Sequence, residues 1–215
     1  MSGEDNVEAP RYRMSQRGWM AVQYAQDVWI PCPPVFPDGF DRSSWAYLYA
    51  ETWWQLSGRP HRSQEVKSLA RTLTEMHEYA YAHLEMHNGL IHLPNLGVVP
   101  LLVSFGIWEA VGDRATQLRV LARADDPDAM EPPQVDEFST QQLGSGLKVQ
   151  AYTRRGGTVT GHLSYAWRSE EHATALRMFT GCPDLGRLQR AVADIEQLAL
   201  DVTIVPVDYS LSRNG

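Results

Sequence analysis

From residue 134 to residue 181 apolar and polar positions alternate along QVDEFSTQQLGSGLKVQAYTRRGGTVTGHLSYAWRSEEHATALRMFTG, and glycine or charged clusters interrupt the alternation at short intervals. A period of two belongs to strands with one covered face, so the stretch predicts an antiparallel meander of four short strands. Leu163, Tyr165 and Trp167 fall on one face of one strand and Val149 and Ala151 on one face of another. On the last, Leu176 and Met178 lie opposite Ala175 and Phe179. Gly156 and Gly157 make a two-residue connection that tolerates positive φ and sets the register of the central hairpin.

Upstream the period becomes helical. Trp45, Tyr49 and Trp53 recur every four residues between Asp41 and Ser57, with Asp41 or Ser43 as cap and Gly58 and Pro60 as stop. A longer helix is expected over residues 63–88, capped by Ser63, with Val66, Leu69, Leu73, Met76, Ala80 and Leu84 on one face and Gly89 at its end. These two helices should cover the meander. Asp113 to Ala124 reads as a short helix, and LGRLQRAVADIEQLALDV as a further amphipathic one.

Residues 19–30 are apolar and rich in β-branched and aromatic side chains, then meet Pro31, Pro33, Pro34 and Pro37, which predicts one edge strand ending near Ile30. LIHLP and VVPLLVSFGIW return to strand, and the second is apolar enough to be central and buried on both faces. Val202 to Val207 should dock on a sheet edge or on a partner, since disordered ends are usually polar. Residues 1–17 lack an apolar period and are expected to be a mobile tail.

The order of elements is that of an α+β fold: a mostly antiparallel sheet covered by amphipathic helices, with an α/β/α sandwich as one arrangement that fits and residues 18–215 forming one domain. A chain of this order ending in DLGRLQRAVADIEQLAL is distantly similar to the PsbP/Mog1-like α/β/α sandwiches. The likeness is architectural, covers the back half at most, and implies no activity and no site residue.

Charge narrows the partners. Nineteen Lys and Arg face 26 Asp and Glu, a net charge of -7 that opposes a phosphate backbone, so no nucleic-acid partner is expected. No run approaches the roughly 18 apolar residues of a membrane span, and the start shows no secretory pattern, so a cytoplasmic protein with no membrane association is expected. Abundant Ala, Arg, Trp and Pro gives a composition like that of high-GC actinobacterial proteins. Cys32 and Cys182 match no metal or redox spacing and read as two buried free thiols.

Candidate chemistry is sparse. On the second helix Glu75, His77, Glu78, His83, Glu85 and His87 cluster, and His83 and His87, four apart, would share a helix face. They supply two ligands where a structural zinc needs four, so the expectation is a solvated polar face with no metal and no cofactor. Seven Trp residues exceed what one helix stripe can bury. Trp53 and Trp54 point about 100° apart on a helix, so at least one should reach the edge of the layer, at a ligand cleft or an interface. Trp167 is a further candidate there. Glu170, Glu171 and His172 read as a solvated hairpin tip, and Ser164 and Ser169 lack a nucleophile elbow.

The leading expectation is therefore a non-enzymatic protein that binds another protein or a second copy of itself, as an adaptor, chaperone or assembly factor. The competing one is a small-molecule-binding protein or enzyme with a cleft between helical layer and sheet, near His83 and His87 or near His162 and Trp167.

Overall fold

The computed structural model describes residues 12–60, 62–84 and 86–207. Along the chain run β1 (Gly18–Val22), β2 (Trp29–Cys32), α1 (Arg42–Leu56), α2 (Ser63–His83), β3 (Asn88–His92), β4 (Leu101–Glu109) and α3 (Arg114–Ala122). The meander follows as β5 (Gln134–Thr140), β6 (Gly144–Arg155), β7 (Thr158–Ser169) and β8 (Thr174–Cys182), and then α4 (Leu185–Leu200) and β9 (Val202–Pro206). The fold is α+β. A seven-stranded sheet in the order β2-β3-β4-β8-β7-β6-β5 is antiparallel at every pairing, and β1 with β9 makes a separate two-stranded ribbon.

The meander has the alternation its residues predict. Tyr165 stands opposite Met178 and Trp167 opposite Leu176, so their side chains share one face. Gly156 at φ 56° and Gly157 at φ 85° turn the β6–β7 hairpin with both residues in the left-handed region, where a side chain would be strained. At Gly106 the reason for glycine is a close approach: a Cβ there would lie 1.9 Å from the Trp108 ring. β4 is central and almost wholly buried, as its apolar run implied.

Helices stand on both faces. On one, Leu188, Ala191, Ile195 and Leu198 of α4 and Met20, Val202 and Ile204 of the ribbon cover Leu163, Tyr165, Trp167, Leu176 and Met178. On the other, α3 sets Leu118, Leu121 and Ala122 against Val149, Ala166 and Ala175. The two aromatic helices do not cover the meander; Trp45, Trp53 and Leu73 pack on Ile30, Cys32 and Ile91 at the β2–β3 end. Both faces of the meander are already occupied by α3 and α4, its neighbours in sequence, so α1 and α2 settle on their own neighbours instead.

Other expectations change in detail. The single strand expected over residues 19–30 is two strands in different sheets, split by a turn in which Val28 and Trp29 both donate to the Ala25 carbonyl. Pro31 is tolerated in β2 because that strand is an edge, and Asp136 and Glu137 charge the opposite edge, β5. α2 stops at His83, short of Gly89: the next segment is drawn into the sheet, where His87 N–H donates to the Phe105 carbonyl. Gly89 lies in β3 and faces Met86, whose Cε a Cβ would meet at 2.7 Å. Arg62, and not the expected Ser63, occupies the cap position of α2 and makes no capping bond with its side chain, whereas Asp41, Asp113 and Asp184 cap the other helices through Ser44, Thr116 and Arg187 N–H groups.

Of the expected tail, residues 1–11 lie outside the described ones. Ser15 donates its N–H to the Ile107 carbonyl and Arg13 accepts from Glu109, so the segment before β1 is held against β4. β9 docks as its apolar cluster suggested, on β1 and with Val202 and Ile204 buried; residues 208–215 lie outside the described ones.

Candidate functional site

Three indoles anchor the α1 layer. Trp45 donates to the Pro31 carbonyl at 3.0 Å, Trp53 to Leu93 at 2.6 Å and Trp54 to Pro60 at 2.9 Å. Each bond joins the helix to a segment outside it, and each satisfies a donor that burial would otherwise leave unpaired. Trp53 and Trp54 are both buried, so neither is an exposed interface residue. Their divergence is absorbed because α1 is covered on two sides: Trp53 enters the core beside β3, and Trp54, 7% exposed, turns toward the α1–α2 connection.

Trp54 thereby lines a cavity of about 330 Å³ between the helical layer and the β3–β4 connection. Its walls are Trp54, Arg59 beyond α1, the first turns of α2 through Glu65, Ser68, Leu69 and Thr72, and the β3–β4 connection through Leu93, Leu96 and Val98. Trp54, Leu69, Leu93, Leu96 and Val98 make an apolar surface. The polar groups are unequal in freedom. Glu65 is held by Arg62 at 3.3 Å, and the Thr72 hydroxyl donates to the Ser68 carbonyl at 3.2 Å. The side chains of Arg59 and Ser68 have no partner among the described residues. Leu93, Leu96 and Val98 carried a legible signal, being apolar residues within a Pro- and Gly-containing connection, whereas nothing marked Arg59 or Ser68.

Behind that wall lies a buried polar cluster that sequence reasoning missed. Arg187 of α4, 2% exposed, donates through Nε to the Val99 carbonyl and through Nη2 to the His92 carbonyl and to His92 Nδ1, each at 2.8–3.0 Å. His92 Nε2 then donates to the Asp194 carboxylate at 2.8 Å. Burial is the first cause pushing the His92 imidazole below its ordinary value, against the Asp194 bond that raises it. With one nitrogen accepting and the other donating, His92 has no nitrogen left for acid–base work on a substrate, so the cluster is an internal brace.

The remaining candidates are scattered. His83 and His87 do not share a helix face, because α2 ends at His83. His83 lies against the Tyr79 ring, while His87 Nδ1 accepts from Ile107 N–H and its ring meets Trp108 edge-on. His77, expected on a solvated face, is buried among Phe36, Trp45 and Tyr81 with Nε2 on the Pro33 carbonyl. Trp167 is in the core under α4, with no exposed area. His162 is on the opposite sheet face from Trp167, bound to Thr153 and stacked on Phe179, so the two form no site. Glu170 is engaged by Arg114 and Arg168. Cys32 and Cys182 are free and buried, and burial pushes the Cys32 thiol up to about 12. Among the described residues no three His, Cys, Asp or Glu are grouped to hold a metal ion, and no helix is long and apolar enough to cross a membrane.

No protein-family model matches the sequence, and no curated protein matches it. A crystal structure of LpqN, described as involved in cell envelope biogenesis of Mycobacterium tuberculosis, is similar over 88% of this chain and 84% of its own. The identity is 9% and the TM-score 0.48, a likeness too slight to bear on function.

Proposed function

We propose that this chain is a non-enzymatic binding protein whose ligand occupies the cavity between α1, α2 and the β3–β4 connection. The observation that carries the reading is the cavity itself: an apolar wall from Trp54, Leu69, Leu93, Leu96 and Val98, facing a mouth with polar groups not consumed by the fold. At about 330 Å³ it lies near the lower end of the roughly 300–1,000 Å³ range of small-molecule sites, and its surface is shared between apolar and polar groups. A fragment screen by ligand-observed NMR, run in parallel on the protein and on a Ser68→Trp variant that fills the mouth, tests it. Hits confined to the unfilled protein support the site. A screen with no hit lost in the variant overturns it.

A second reading, docking of another protein, is favoured by α1. Its residues are apolar on nearly every side, and Tyr47, Leu48 and Leu56 remain exposed although Trp45, Trp53 and Trp54 face inward. The partner directly testable is a second copy of the chain. Sedimentation equilibrium should then show concentration-dependent association that Leu48→Glu abolishes, and a monomer at every concentration removes self-association as the use of that face.

A further inference from the structure

We infer that the cavity takes a small monoanion with an apolar body, its carboxylate held at the mouth by Arg59 and the Ser68 hydroxyl and its body against the half-buried Leu69, Leu96 and Val98. The inference rests on the cavity reading above and adds the chemistry of the ligand. It follows from which polar groups the fold leaves available. Glu65, the one acidic residue among the described residues of the lining, already faces Arg62. A cationic ligand would therefore find its natural partner engaged and Arg59 beside it.

Arg59 itself has no carboxylate partner among the described residues and projects from the α1–α2 connection into solvent at the cavity mouth. Among the described residues, Arg59 and Glu65 of the lining and Arg62, which pairs with Glu65, sum to one positive charge on a chain whose net charge is -7. The hydroxyls divide in the same sense. Thr72 spends its proton on the Ser68 carbonyl, while Ser68 keeps its own to donate. A guanidinium and a hydroxyl proton both call for an acceptor, and a planar carboxylate matches the guanidinium fork with two parallel bonds.

Size sets the rest. A space of about 330 Å³ with one unpaired cation among its described residues suits a single ring or short chain with one negative charge. The Trp54 indole N–H is committed to Pro60, so it is not a donor for the carboxylate.

The probes are 3-phenylpropanoate and, with the same body and no charge, 3-phenylpropan-1-ol. Binding is read from the indole N–H resonance of Trp54, assigned with Trp54→Phe. The acid should give a saturable shift with an affinity about tenfold above that of the alcohol at low salt, the size of one charge-assisted bond pair at an exposed site. Arg59→Gln should remove that advantage and leave the alcohol unchanged, and Arg59→Lys should restore part of it. Equal affinities of acid and alcohol for the unmodified protein, or an advantage that survives Arg59→Gln, overturn the anion and leave the cavity reading standing. Failure of both probes to move Trp54 overturns the anion and the cavity reading together.

Discussion

The guanidinium of Arg187 donates to Nδ1 of His92 at 2.8 Å across 95 residues of sequence. An arginine cannot accept, so His92 must carry its proton on Nε2, where Asp194 receives it. A second proton would have to enter on Nδ1, against a buried cation. The pair therefore couples the attachment of α4 and the β3–β4 connection to the charge state of one imidazole.

Stability should fall on mild acidification. His92, His77 and His162 all have folded values below the ordinary 6.5, burial being the first cause in each, with Arg187, Arg42 and Arg123 respectively acting in the same direction. Between the folded and unfolded values the unfolded chain binds more protons, so the stability these groups contribute is present above pH 6.5 and is lost as pH falls below it. Urea midpoints at a series of pH values check this. The His92→Asn variant should show a shallower decline, and a flat profile from neutrality to pH 5 contradicts the expectation.

Removing Arg187 should be more costly than its surface neighbours. Arg187→Met leaves His92 Nδ1 and two carbonyls without their donor, which costs about 1–3 kcal/mol for each buried acceptor left unsatisfied. Arg190→Met, on the exposed side of the same helix, should stay within about 0.5 kcal/mol. Denaturant unfolding of the two variants compares them directly.

Trp167 and Tyr165 stack with ring centroids 5.9 Å apart under α4, and neither Trp167 Nε1 nor Tyr165 Oη has a hydrogen-bond partner among the described residues. Trp167→Ala should therefore cost about 3–5 kcal/mol through lost packing. Tyr165→Phe removes only an unpaired buried hydroxyl and should be neutral or stabilising. If calorimetry finds Tyr165→Phe as damaging as Trp167→Ala, the hydroxyl is held by a partner.

Deleting residues 202–215 should strip β1 of its one strand partner among the described residues and expose Met20. Burial of Val202 and Ile204 contributes roughly 1.5–3 kcal/mol each, so the truncated chain should unfold at a clearly lower temperature. In the full chain the amide of Ile204 should exchange slowly, and rapid exchange there would mean that the ribbon does not persist.

Much of the fold was legible in local pattern. Strand alternation from Leu163 to Trp167, the paired glycines between β6 and β7, and the Asp41 cap of α1 are decided by residues a few positions apart, and the chain has little choice about them. What the tertiary structure decided was everything set by competition between distant segments. The end of α2 was lost to a strand because pairing His87 with Phe105 satisfies the backbone in the sheet, against a helical periodicity that ran on to Asn88. His77 and Trp54 left the surface because Pro33 and Pro60 offered them carbonyls. The cavity draws its lining from α1, α2 and two connections, and no period or spacing in any one of them announces the others. A local sequence determines which face of an element is apolar; only the assembled chain determines what is left over to cover it, and there the space beside Trp54 was left unfilled.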